Sequence, residues 1–174
     1  KHQTASDQIA QVLSALLNSA EYTNGSLLKI KRPPELIFSF LRGIGADLTP
    51  HQSIYYTVIQ MGYKPFGWPA PTGHPDTNSY WISSNMLLNR WNAIIGLLYN
   101  KEAISYNLEK QFKTKGKTPD EVQRACYIAL CGTKPSQKIV AQMAAIKGGR
   151  EEVSPDFIRK TVGLIGLLPE FQYR

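Results

Sequence analysis

Five side chains in this sequence have the type and spacing to do chemistry: Trp68, His74, Asp76, Trp81 and Arg90. Four of them stand in YKPFGWPAPTGHPDTNSYW, residues 63–81, and Arg90 follows shortly after. Two tryptophans in one loop offer faces on which sugar rings stack. His74 and Asp76 put an imidazole and a carboxylate in one turn, the parts of an acid/base pair. That set would suit a hydrolase or a carbohydrate-binding protein. It also suits a loop docked on a core, with its histidine capped or solvated. The rest of the chain does not complete a catalytic set. There is no Ser/His/Asp order, no pair of carboxylates on one helix face and no phosphate loop. Cys126 and Cys131 are five positions apart. Five helical steps turn through about 500°, so the two thiols point to different faces. Without a CxxC or HxxxH spacing, two buried free thiols are expected, with no metal and no cofactor.

Arg90 breaks the binary pattern of its segment. It lies four residues after Met86 and four before Ile94, against an apolar stripe. A charge there must be paired or must cap carbonyls, because burying it alone is costly. Asp76 is the first candidate partner, which would clamp the loop onto the helix behind it. Glu35 or carbonyls of the loop are alternatives, as is an arginine that snorkels past Trp91 to water.

The elements that must position these residues read as helices. Ile9, Val12, Leu13, Leu16 and Leu17 give a helix over 6–20, capped by Ser6 or Asp7. RPPELIFSFLRGIGAD opens a second at Pro33-Pro34, with the stripe Leu36, Ile37, Phe40, Leu41 and Ile44. Thr49 as N-cap with Pro50 behind it starts a third, which Gly62 ends. Ser83 or Ser84 starts a fourth with the stripe Leu87, Trp91, Ile94, Ile95 and Leu98. Thr118-Pro119 with Glu121 spells a capping box, and Gly132 closes that helix. KPSQKIVAQMAAIKGG and SPDFIRKTVGLIGLL, the latter capped by Ser154, follow. No strand-like alternation of useful length appears. The expectation is therefore an all-α irregular bundle of about seven helices, one domain over 1–174. The stripes of residues 36–44, 87–98 and 158–168 should meet in its core. Residues 63–82 form a long Pro/Gly/Trp-rich loop, in which Lys64 to Tyr80 should be ordered without regular structure and both tryptophans mostly buried. Each proline fixes φ, so the loop loses little entropy on docking.

Composition bounds the partners. No run approaches the apolar length of a membrane span. Twenty Lys+Arg against 13 Asp+Glu give a net charge of +7. The bases are dispersed, apart from Lys110, Lys113, Lys115 and Lys117 in a basic linker over 110–118. No helix concentrates them on one face as a recognition helix would, so nucleic acid is an unlikely partner. The chain begins at Lys1 without a signal peptide, which suggests a piece of something longer.

The stretch MGYKPFGWPAPTGHPDTNSYWISSNMLLNRWN resembles the signature of the bacterial domain-of-unknown-function 1800 family. That signature has a Met-Gly, a Pro-Phe loop, a Trp-Ile and a helix with Leu-x-x-Arg-x-Asn, here Leu87, Arg90 and Asn92. RPPELIF, LLNSAEY and the terminal PEFQYR are similar to further segments of the family, in the same order. Tyr63, His74 and Leu168 depart from its commoner Gln, Tyr and Ser. The resemblance implies the C-terminal portion of a longer protein, exported to the periplasm or secreted, with no generally established activity. The lack of a catalytic set favours a structural or interaction role, with the missing N-terminal part of the same protein or another protein as partner.

Overall fold

The computed structural model of the protein describes residues 7–24, 29–149 and 152–173. Ser6, one of the two expected caps of the first helix, lies outside them. Among the described residues are eleven helices and two short strands, so the class is all-α. Seven helices are those that apolar periodicity gives: α1 (Gln8–Leu17), α3 (Pro33–Gly43), α4 (Gln52–Gln60), α6 (Ser84–Tyr99), α8 (Pro119–Cys131), α9 (Gln137–Lys147) and α10 (Pro155–Leu167). The other four are about one turn each: α2 (Ala20–Thr23), α5 (Asn78–Trp81), α7 (Leu108–Phe112) and α11 (Pro169–Gln172). Such pieces are too short to show a 3.6-residue period. Strands β1 (Asp47–Leu48) and β2 (Ile104–Ser105) pair antiparallel, Asp47 opposite Ser105.

The helix starts follow capping chemistry. Ser83 accepts from the Met86 N–H at 3.2 Å and Ser154 from the Phe157 N–H at 3.1 Å. Thr118 and Glu121 exchange bonds as a capping box. The start of α4 differs from expectation. The Thr49 N–H donates to the Ala103 carbonyl at 2.9 Å, which carries the β1–β2 ladder onward. Helix α4 therefore begins later, and His51 is its N-cap, with Nδ1 accepting from the Ser53 N–H. The basic linker is also shorter than its sequence suggests. Lys110 lies on α7, and Lys113 caps it in the left-handed conformation, φ 49°.

One core gathers Leu36, Ile37, Phe40, Leu41 and Ile44 of the α3 region with Ile94, Leu97 and Leu98 of α6 and Ile158, Val162 and Ile165 of α10. Helix α10 comes close because of Gly166. A Cβ there would lie 2.6 Å from Ile94 and 3.0 Å from Phe40. The buried face of α6 is rotated from the expected stripe. It holds Arg90, Ala93, Ile94, Leu97 and Leu98, while Trp91 and Ile95 stay exposed. Helix α6 is apolar around much of its circumference, and periodicity does not choose between two overlapping stripes. The face with small Ala93 is the one turned inward. Helix α1 has no buried residue at all.

Candidate functional site

The loop folds around its own aromatics. His74 stacks on Tyr63 with ring centroids 4.1 Å apart, and Trp68 lies 4.8 Å from His74. Tyr80 meets both Trp68 and Trp81 edge-on. Trp81 is 2% exposed, and its indole N–H donates to the Pro75 carbonyl at 2.9 Å. Trp68 is only half-buried. From Lys64 to Thr77 the loop is irregular, but Asn78–Trp81 winds into α5, so the expectation of no regular structure up to Tyr80 is corrected there. The bond from His74 Nε2 to the Lys64 carbonyl, 3.1 Å, requires the proton on Nε2. Nδ1 is then an acceptor, buried and unpartnered. This half-buried imidazole is held as a packing element of the loop.

Asp76 turns to the other side. Its carboxylate accepts from Lys29 Nζ at 2.8 Å and from the Arg32 guanidinium. These hydrogen bonds, that of Lys29 first, hold the Asp76 carboxyl down at about 2. His74 and Asp76 thus serve different contacts and make no acid/base dyad.

Arg90 is 1% exposed, and the structure corrects its expected partner. Nε donates to Gln172 Oε1 at 2.7 Å and Nη2 to the Lys31 carbonyl at 2.8 Å, and neither acceptor lies in the loop. Burial lowers its pKa to about 10, since neither partner carries a charge. The physical reason is the rotation of α6. Its inward face looks at α11 and at the extended segment 29–32, and Asp76 is taken by that same segment.

Residues 29–32 are the hub that sequence reading missed. Arg32 precedes two prolines, which forbids helix and leaves it extended, φ −64°, ψ 157°. The extended backbone offers bonds on both sides. The Ile30 N–H donates to Asn78 Oδ1 at 3.0 Å, the Lys31 N–H to the Gln172 carbonyl at 2.9 Å, and Ile30 bridges Tyr173. Lys31 Nζ donates to the Phe171 carbonyl and lies over the Phe171 ring. The loop is therefore clamped by Lys29, Arg32 and Asn78, and Arg90 grips the same segment from behind. The run RPP and the glutamine in PEFQ were the available signals.

The remaining chemistry is quiet. Both cysteines are free; Cys126 is buried but Cys131 only half-buried. Burial pushes their thiols up to about 12 and about 11, which keeps them protonated and poorly nucleophilic. Among the described residues no group of three or more His, Cys, Asp and Glu could hold a metal ion. Among them, too, no helix is long and apolar enough to cross a membrane. A cavity of about 510 Å³ between α8 and α9, lined by Ile128, Val140, Arg124 and Lys134, contains none of the five candidate residues.

The fold and this hub define a class: a helical domain whose proline loop and C-terminal turn are tied to one extended segment. The family described as protein of unknown function (DUF1800) matches residues 1–173, and the chain belongs to that family. No curated protein and no solved structure matches it.

Proposed function

We propose that this chain is a helical interaction module, part of an exported bacterial protein, and that α1 is its docking face. One observation carries the reading. All five apolar side chains of the α1 stripe are exposed, from 49% at Leu13 and Leu17 to 77% at Ile9. An amphipathic helix gains its stability mainly from packing that face, so an uncovered one calls for a partner. Export is supported by the family resemblance alone, and fractionation of cells making the full-length protein tests it. A carbohydrate-binding reading has the half-buried indole of Trp68 in its favour, but Trp81 faces inward and leaves no second platform.

Thermal unfolding of a Leu13→Glu/Leu17→Glu variant in dilute solution tests the docking face. The midpoint should stay within about 1 °C of the parent, and binding of an apolar dye should fall. A drop of more than about 4 °C, which corresponds to 1–2 kcal/mol in a domain of this size, would show that α1 packs on its own body. The reading would then fail.

A further inference from the structure

Among the described residues, two uncovered apolar surfaces match each other. The first is the α1 stripe. The second runs along the outer face of α6 through Leu88, Trp91, Ile95 and Tyr99, all exposed and spaced three or four apart. It continues into an apolar groove of about 320 Å³ between α6 and α10, floored by Leu98, Ile146, Gly163, Leu164 and Leu167.

Length, shape and charge agree. Ten residues of α1 span about 15 Å, and Leu88 to Tyr99 span about 16 Å. Gly96 lies exposed in mid-helix on α6, with nothing within 4 Å of where a Cβ would stand. A glycine weakens a helix interior, and Gly96 stands beside the stripe, about 60° around α6 from Tyr99. Residues Gln8–Leu17 carry no charged side chain. Two charges line the groove: Lys160 is paired with Asp156, and Arg159 donates to the Tyr106 hydroxyl and lies over the Tyr99 ring. The larger α8–α9 cavity, also lined by two cations, Arg124 and Lys134, does not continue the exposed stripe of α6.

We propose that α1 of one copy docks in the α6–α10 groove of a second copy, reciprocally. This rests on the reading of α1 as a docking face and names its partner. Both halves of the contact belong to one sequence, so a two-fold pair uses each surface once and closes. The exposed α1 side chains amount to on the order of 500 Å². One helix in one groove buries about twice that area, and the reciprocal pair about 2,000 Å², within the range of stable interfaces.

The test mixes two copies of the full chain in a Cys131→Ala background, where the only native thiol left is the buried Cys126, one copy Leu16→Cys and one Ile95→Cys, with a short bismaleimide. The proposal expects a crosslinked heterodimer between the two copies. Light scattering should show a dimer mass at high protein concentration. Leu13→Glu or Tyr99→Glu, both at exposed positions, should return it to monomer with the helical circular dichroism retained. A monomer at every concentration, with the dilute midpoint of Leu13→Glu/Leu17→Glu unchanged, overturns the pair and leaves the docking face for another partner. Crosslinking within a single Leu16→Cys/Ile95→Cys chain, with a lowered midpoint at every dilution, overturns both readings.

Discussion

Arg90 donates to two neutral acceptors in the core, and that sets what its replacement does. Lysine keeps the charge but has no Nε donor in a rigid fork, so Gln172 Oε1 loses its partner. Arg90→Lys should cost about 2–4 kcal/mol, read from the urea midpoint. The damage should appear at the Lys31 amide, which bonds the Gln172 carbonyl, as faster hydrogen exchange. The Trp81 indole N–H should stay protected; its faster exchange would mean that Arg90 holds the loop after all. Asp76 acts at the other end of the hub and is 59% exposed. Its pKa is held at about 2, below the ordinary 3.8, so its contribution is present above about pH 4. That contribution is lost as pH falls from about 4 to about 2. Asp76→Asn should therefore lower the melting midpoint at pH 6, and the difference should vanish near pH 2. A difference that survives at pH 2 would rule out the ion pair as its cause. Salt at about 1 M should shrink the pH 6 difference, since exposed pairs are screened.

At the scale of elements, the loop and α10 divide buried from uncovered surface. Trp81→Ala should cost about 3–5 kcal/mol and Trp68→Ala less than half of that, because only Trp81 is fully buried. Equal losses in urea unfolding would show that the loop docks as one unit. Gly166→Ala should destabilise by about 1–3 kcal/mol despite alanine's helix propensity, because its methyl would meet Ile94 and Phe40. Gly96→Ala, in open space, should stabilise the monomer by up to about 1 kcal/mol. Sequence reading found these helices because their apolar periods and caps are local. Ser83, Thr118 and Ser154 each cap where a serine or threonine precedes the run. It placed the α3 stripe correctly because the opposite face of α3 carries Glu35, Ser39 and Arg42, with Phe38 its one large apolar side chain. It misplaced the face of α6 and the partner of Arg90, since both depend on where α10 and α11 pack. The Lys29–Arg32 hub lies far from Asp76 and Gln172 in sequence, and no local pattern encodes that meeting.

At the scale of the whole molecule, the net charge of +7 tests whether charge alone makes a nucleic-acid surface. Some of the bases are neutralised where they stand. Lys29 and Arg32 meet Asp76, Lys147 meets Asp120, and Lys160 meets Asp156. Arg90 is buried, and Lys31 is turned to the Phe171 carbonyl with its pKa lowered by burial. Even the densest run is mixed in space, because Lys115 and Lys117 line one pocket with Glu109 and Glu152. Among the described residues these pairings break up any row of bases that a duplex could follow. Binding of labelled duplex DNA, followed by fluorescence anisotropy, should be weak at low salt and absent near physiological salt. Counterion release makes affinity fall steeply with salt when many phosphates are neutralised, so the expected slope is shallow, about two or three contacts. Tight binding that persists at physiological salt, with a steep slope, would overturn this account of the charge. Lys115→Glu/Lys117→Glu then shows whether that run carries the residual binding. Under the present reading it changes the anisotropy little, because Glu109 and Glu152 already offset those lysines.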